Sequence, residues 1–152
     1  MFLINHYEKI NKWYNFKIIG LDLKYLAQKM NEKMTELKKI FTIIIGDGAY
    51  TSERPYTMLR FAYTALLEEH KINIFLVEDG VFVGKKNQEP ASYDNVGKWM
   101  KDVIEEGANV KACGVCMKAR GISQDEFIDG IEKTTMNTLV EMCAEADNVL
   151  FS

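Results

Sequence analysis

The sequence predicts an α/β fold with a mostly parallel sheet covered by helices on both faces, and three observations lead to it. Short runs of β-branched and other apolar residues, each closed by a turn signal, recur along the chain. Between them lie stretches whose apolar residues fall at three- and four-residue steps, the spacing of one helix face. Strands alternating with helices at this spacing imply βαβ units with right-handed crossovers. A chain of 152 residues suits one such domain and needs no disulfide or metal staple to fold.

Residues 1–38 are polar, aromatic and lysine-rich and read as an N-terminal extension, helical or a leader. A helix is expected after Asp22, with Leu23, Leu26, Met30, Met34 and Leu37 along one face, as a packing or oligomer helix. Met30 and Met34 each read as a candidate translation start, because the α/β pattern begins directly after them. From residue 39 the α/β domain runs to the end of the chain.

Phe41-Thr42-Ile43-Ile44-Ile45 reads as a buried strand, ended by Gly46-Asp47-Gly48. Pro55 opens a helix in the favoured first-turn position, with Tyr56, Leu59, Tyr63, Leu66 and Leu67 facing inward. Ile72 to Val77 is a second strand, ended by Glu78-Asp79-Gly80. A loop through Pro90 follows, in which Val81-Phe82-Val83 is expected to be exposed. The next helix spans about Asp94 to Glu106, buries Val96, Trp99, Met100, Val103 and Ile104, and is closed by Gly107. Asn109 to Ala112 forms a short strand leading into Cys113. Ser123 caps a short helix carrying Phe127 and Ile128, a further helix covers about Thr135 to Ala146, and Asn148 to Phe151 is the closing strand.

Composition narrows the function. A net charge of −3 and a pI near 5.5 argue against a nucleic-acid partner, which calls for a clustered basic face. The pairs Lys38-Lys39 and Lys85-Lys86 are too short to supply one and read as solvated surface. No apolar run approaches the roughly 20 residues of a membrane span, and no secretory signal is read at the N-terminus. Three cysteines without framework spacing point to a reducing, cytoplasmic setting in which thiols serve as reactive groups.

In open α/β sheets the ligand crevice lies beyond the carboxyl ends of the strands, where residues 46–54, 78–90 and 113–121 arrive. The third segment is the informative one. Cys113 stands where a strand hands over to a turn, Cys116 follows three residues later, and Lys118 and Arg120 come close behind. A turn into helix and nearby cations both favour a thiolate, so this pair reads as reactive rather than as two small buried hydrophobes. Cys143 shares a helical face with Met136, Leu139, Val140 and Ala146 and reads as core. His6, His70 and Cys143 stand apart from one another, so no zinc ligand set within one subunit and no cofactor is expected. Thioredoxin-type chemistry is disfavoured because Ala112 precedes the pair and both prolines, Pro55 and Pro90, lie upstream of it. Gly46-Asp47-Gly48 lacks both the third glycine of a dinucleotide fingerprint and the Gly-Lys of a P-loop. Asp47, Tyr50 and Arg54 are expected to line the same crevice as Cys113.

With these segments in place, residues from about Phe41 to Phe151 resemble the DsrE/DsrF-like family, most closely its YchN-like branch. The resemblance is carried by Ile43-Ile44-Ile45-Gly46-Asp47-Gly48-Ala49-Tyr50 and by Phe75-Leu76-Val77-Glu78-Asp79-Gly80-Val81. It is carried further by Ala112-Cys113-Gly114-Val115-Cys116-Met117-Lys118-Ala119-Arg120-Gly121-Ile122 and by the segments Thr138–Glu141 and Ala146–Phe151. It implies a three-layer α/β/α sandwich assembled into homo-oligomers, trimers or hexamers, with the reactive cysteine near subunit contacts. It also implies sulfur relay: Cys113 occupies the position that carries sulfur as a persulfide between donor and acceptor proteins. Cys116, which YchN-like members tend to share, would be the resolving thiol, and Lys118 and Arg120 would favour the anionic forms. The rival expectation is a non-catalytic oligomeric module in which the same pair senses oxidation or binds a metal at a subunit interface, motivated by the Val81-Phe82-Val83 loop.

Overall fold

Among the described residues five parallel strands, β1 (Ile40–Ile45), β2 (Lys71–Leu76), β3 (Asn109–Cys113), β4 (Ile131–Thr134) and β5 (Asn148–Phe151), lie side by side in the order β4-β3-β2-β1-β5. The computed structural model describes residues 23–152, so the expectations for residues 1–22 lie outside the described residues. The chain divides into two units at Leu37 and Lys38. In the first, helix α1 spans Leu23–Leu37; of its apolar stripe Leu26 and Met30 are exposed, and the side chains of Leu23, Met34 and Leu37 lie outside the description.

The second unit is a three-layer α/β/α sandwich. Strand β1 (Ile40–Ile45) leads into α2 (Arg54–Leu67), β2 (Lys71–Leu76), a 3-10 helix (Glu78–Gly84) and α3 (Val96–Glu105). Strand β3 (Asn109–Cys113) then leads into α4 (Gly114–Ala119), a 3-10 turn (Gln124–Glu126), β4 (Ile131–Thr134), α5 (Met136–Glu145) and β5 (Asn148–Phe151). The pleat divides each strand between two cores. Ile43, Ile45, Ile72, Ile74, Leu76, Val110 and Ala112 face one side, where Leu59, Ala62 and Ala65 of α2 and Val96, Met100 and Val103 of α3 cover them. Phe75, Val77 and Cys113 face the other side, against Leu139 and Met142 of α5. The chain steps outward from β1 through β4 and then returns to the far side of β1. Right-handed crossovers in opposite directions fall on opposite faces, which puts α5 across the sheet from α2 and α3.

Side-chain chemistry places the remaining joints. Asn95 caps α3, its Oδ1 accepting the Lys98 N–H at 2.9 Å. Thr42, buried on the α5 face, donates to the Met142 carbonyl at 2.9 Å and so ties that helix to β1.

Five expectations are corrected. Val81 and Val83 are fully buried, because residues 78–84 coil into a 3-10 helix that turns both into the main core and leaves Phe82 outward. The helix expected after Ser123 stops at Glu126: a Ser123–Glu126 capping box closes a single turn, and Phe127 and Ile128 are buried beyond its end. Strand β4 was not expected from Ile131-Glu132-Lys133-Thr134, where only Ile131 is buried. The α5 face turned to the sheet is Leu139, Met142 and Cys143; Met136 and Val140 are exposed, as is Leu67 at the end of α2. Among the described residues no helix is long and apolar enough to cross a membrane.

Ile74 lies at the centre of the main core with no exposed surface, so Ile74→Ala is expected to cost about 2–5 kcal/mol of unfolding free energy. Urea denaturation measures this, and a loss below about 1 kcal/mol would contradict the packing described.

Candidate functional site

Cys113 is both the last residue of β3 and the residue that caps α4. Its backbone is extended (φ −65°, ψ 112°), and the chain coils directly afterwards, so its Sγ accepts the N–H of Cys116 at 3.5 Å. Gly114 lets this turn lie against β4: a Cβ there would stand 3.2 Å from the Thr134 carbonyl oxygen. Cys113 is only 5% exposed and belongs to the smaller apolar cluster with Phe75, Val77, Leu139 and Met142. Cys116 is half-buried and packs against both cores. Cys143 joins the smaller cluster from α5, and all three thiols are free.

The second sulfur has a backbone partner from the neighbouring strand. Glu78, two residues past the end of β2, donates its N–H to Cys116 Sγ at 3.1 Å. Glu78 does so from a left-handed conformation (φ 48°), which L-residues adopt at a cost and which gathers at functional positions. The segment is anchored by the Val77 N–H on the Ile45 carbonyl at 3.0 Å and the Gly80 N–H on the Gly46 carbonyl at 2.8 Å. Gly80 must be glycine here, since a Cβ would lie 1.9 Å from the Ile45 oxygen.

Arg120 closes the arrangement. Its Nε donates to Asp79 Oδ1 at 2.7 Å and its Nη1 to the Cys116 carbonyl at 3.2 Å. Burial pushes the Cys116 thiol up, and its contact with Cys113 adds to the rise; the Glu78 N–H and the Arg120 charge oppose both.

The sequence-derived candidates separate. Cys113, Cys116 and Arg120 meet. Lys118 is exposed on α4, and no hydrogen bond or ion pair links it to either sulfur among the described residues. Asp47 accepts from the Ser52 hydroxyl at 2.6 Å and stands 3.9 Å from Arg54, while the Tyr50 hydroxyl donates to Gln88 Oε1 at 2.9 Å. These two residues brace the first loop and hydrogen-bond neither cysteine, although a Cβ built on Gly48, in the turn they flank, would lie 3.5 Å from that of Asp79. Sequence reasoning missed Glu78 and Asp79, whose run before Gly80 signalled only the end of a strand. Among the described residues no three His, Cys, Asp or Glu side chains converge as metal ligands.

Comparison with known proteins places these features in a family. The sequence model of the DsrE/DsrF-like family matches residues 39–151. An uncharacterized protein of Methanopyrus kandleri is 51% identical over 112 residues, covering 74% of this chain and 93% of that protein. The protein YchN of Escherichia coli is 32% identical over 111 residues, covering 71% of this chain and 95% of its own. The crystal structure of YchN superposes with a TM-score of 0.70 over 76% of this chain and 100% of that one, at 30% identity. At greater distance, the sulfurtransferase TusD of Salmonella arizonae is 28% identical over 100 residues, covering 64% of this chain and 78% of that protein.

Two outcomes follow from the geometry. Gly80→Ala pushes the 78–84 segment off β1, and a loss on the order of 2 kcal/mol in urea denaturation is expected; wild-type stability would contradict the close approach. The raised Cys116 ionisation means that the folded protein favours its neutral thiol. That contribution is complete below the unfolded value of about 8.5 and is lost as pH rises through the folded value. Site-resolved alkylation by iodoacetamide should therefore stay slow at Cys116 until above the ordinary thiol range, and stability should fall with pH above about 8.5 less steeply in Cys116→Ser than in wild type.

Proposed function

The chain belongs to the DsrE/DsrF-like family, and on that footing we propose that it is a sulfur-relay protein carrying sulfane sulfur as a persulfide on Cys113, with Cys116 as resolving thiol. One observation carries the reading: the two sulfurs sit in a single hydrogen-bonded run, Glu78 N–H to Cys116 Sγ and Cys116 N–H to Cys113 Sγ, at the carboxyl end of a parallel strand. The distant likeness to a protein named as a sulfurtransferase supports sulfur as the cargo. The chemistry is assigned to residues 39–152, and none of it to the 1–38 extension.

In loading, the Cys113 thiolate attacks the outer sulfur of a donor persulfide R–S–SH; the donor's S–S bond breaks, the thiolate R–S⁻ leaves and Cys113–S–SH forms. In transfer, an acceptor thiolate attacks the outer sulfur and regenerates the Cys113 thiolate. In resolution, Cys116 attacks the inner sulfur, its proton leaves with the expelled hydrosulfide as hydrogen sulfide, and a Cys113–Cys116 disulfide remains for a cellular thiol to reduce. The donor and acceptor are proteins presenting cysteine sulfur.

The reading includes a homo-oligomer, a trimer or hexamer as the family resemblance implies, and the face opposite α2 and α3 supports association. Val149 and Phe151 pair in register with Thr42 and Ile44 and so share the α5 side of the sheet, where Val149, Phe151, Met136 and Val140 are left exposed. The adjacency of the two thiols also favours a second reading, an oxidation sensor that forms the same disulfide without taking up sulfur.

Mass spectrometry after exposure to a sulfane donor separates the two. The expected result is one added sulfur atom on Cys113, absent in Cys113→Ser and longer-lived in Cys116→Ser, whose sulfide release should drop at least tenfold. No added sulfur on wild type, or equal addition in Cys113→Ser, sinks the relay.

A further inference from the structure

Arg120 follows the cysteine pair as a cation, and charge alone would be one way for it to favour a thiolate. Its contacts describe a different job. The guanidinium is held by Asp79, whose carboxylate stands 2.7 Å away. What the pair achieves is a closed circuit that starts and ends on one residue. From Cys116 Sγ it runs to the Glu78 N–H, along the chain to the Asp79 carboxylate, across to Arg120, and back to the Cys116 carbonyl oxygen. The Glu78 backbone is left-handed within that circuit and needs restraint on both sides. Gly80 and Val77 hold one side against β1, and the Asp79–Arg120 bridge holds the other against α4.

We infer that Asp79 and Arg120 are positioning residues for the second thiol, acting together as a strut that keeps the Glu78 N–H aimed at Cys116 Sγ. The inference rests on Cys116 acting as the resolving thiol, where an aimed donor favours the attacking sulfur as it sheds its proton. The guanidinium fork is what makes the strut possible, since one planar group reaches the carboxylate and the carbonyl at once and a lysine ammonium lacks that fixed geometry. Among the described residues the groups that act on the Cys116 thiol are Cys113, the Glu78 N–H and Arg120; Asp79 reaches it through Arg120, and the Glu78 carboxylate reaches toward the place that a Cβ on Gly46 would occupy.

A charge role and a strut role predict opposite signs for one substitution. Asp79→Ala removes an anion and leaves the cation: acting by charge, Arg120 would then lower the pH midpoint of Cys116 alkylation. Acting as a strut it loses its footing, the Glu78 N–H drifts, and the midpoint rises by about 0.5–1 pH unit. Arg120→Lys keeps the charge and loses the fork, and the strut predicts the same upward shift. Site-resolved alkylation across pH on the full-length protein reads both variants, with Cys143 in the same molecule as the internal reference and thermal melts as the fold control. A rise confined to Cys116 in both variants is the expected result. A falling or unmoved midpoint in Asp79→Ala, or a wild-type profile in Arg120→Lys, overturns the strut; if Asp79→Ala does not fold, Arg120→Lys decides alone. The profile is taken on the resting thiol without a sulfur donor, so failure of Cys113 to take up sulfur counts against the relay and leaves this result standing.

Discussion

The site depends on how closely one short segment lies against the end of β1. The carbonyls of Ile45 and Gly46 would otherwise be loose ends of a buried strand, and such groups need partners. They receive the N–H groups of Val77 and Gly80, and the absent side chain of Gly80 is what lets the backbones approach. Burying Val81 and Val83 just beyond then fixes the segment in the main core. A loop held by two backbone hydrogen bonds and two buried valines is a rigid support. It restrains one side of the left-handed Glu78, and the donor to Cys116 depends on it.

The two sulfurs occupy different surroundings, and this difference suits distinct roles. Cys113 is wrapped by Phe75, Val77, Leu139 and Met142, an apolar and polarizable setting. Water is largely excluded there, and a sulfane sulfur, itself soft and weakly hydrated, loses little by entering such a place. Cys116 sits nearer solvent between the two cores, where a backbone donor and a guanidinium are at hand. Ionising it is opposed by burial and helped by those two groups, so the balance is set by their geometry rather than by proximity of charge along the sequence.

Much of the fold was legible because buried strands announce themselves through β-branched runs, as in Ile43-Ile44-Ile45, and because helix periodicity survives even where edges are blurred. Strand β4 did not announce itself: an edge strand with one buried residue and Glu132 bridged to Lys111 carries no apolar signal. Val81 and Val83 were hidden by their neighbours, since a short polar-flanked run beside glycines looks like a surface loop until a 3-10 turn is known to rotate it inward. At the site, Cys113, Cys116 and Arg120 were readable from spacing. Glu78 and Asp79 were not, because a backbone N–H leaves no trace in a side chain and a left-handed glutamate has no sequence signature. Asp47 and Tyr50 arrive at the correct edge of the sheet, yet Ser52 and Gln88 engage their polar atoms.

Register is the last element that binds fold to site. Ile45 pairs with Leu76, and Leu76 with Ala112, so Glu78 and Cys113 each stand a fixed number of residues past aligned partners. Side chains alternate along β3, with Val110 and Ala112 in the main core and Cys113 on the opposite face. A slip of one residue against β2 would turn Cys113 toward α2 and α3 and carry Lys111 into the core, which a charged side chain cannot enter unpaired. The apolar packing on one face therefore keeps the sulfur on the other. Val110 and Ala112, whose side chains face the main core, are in this sense part of how the chain presents its thiols.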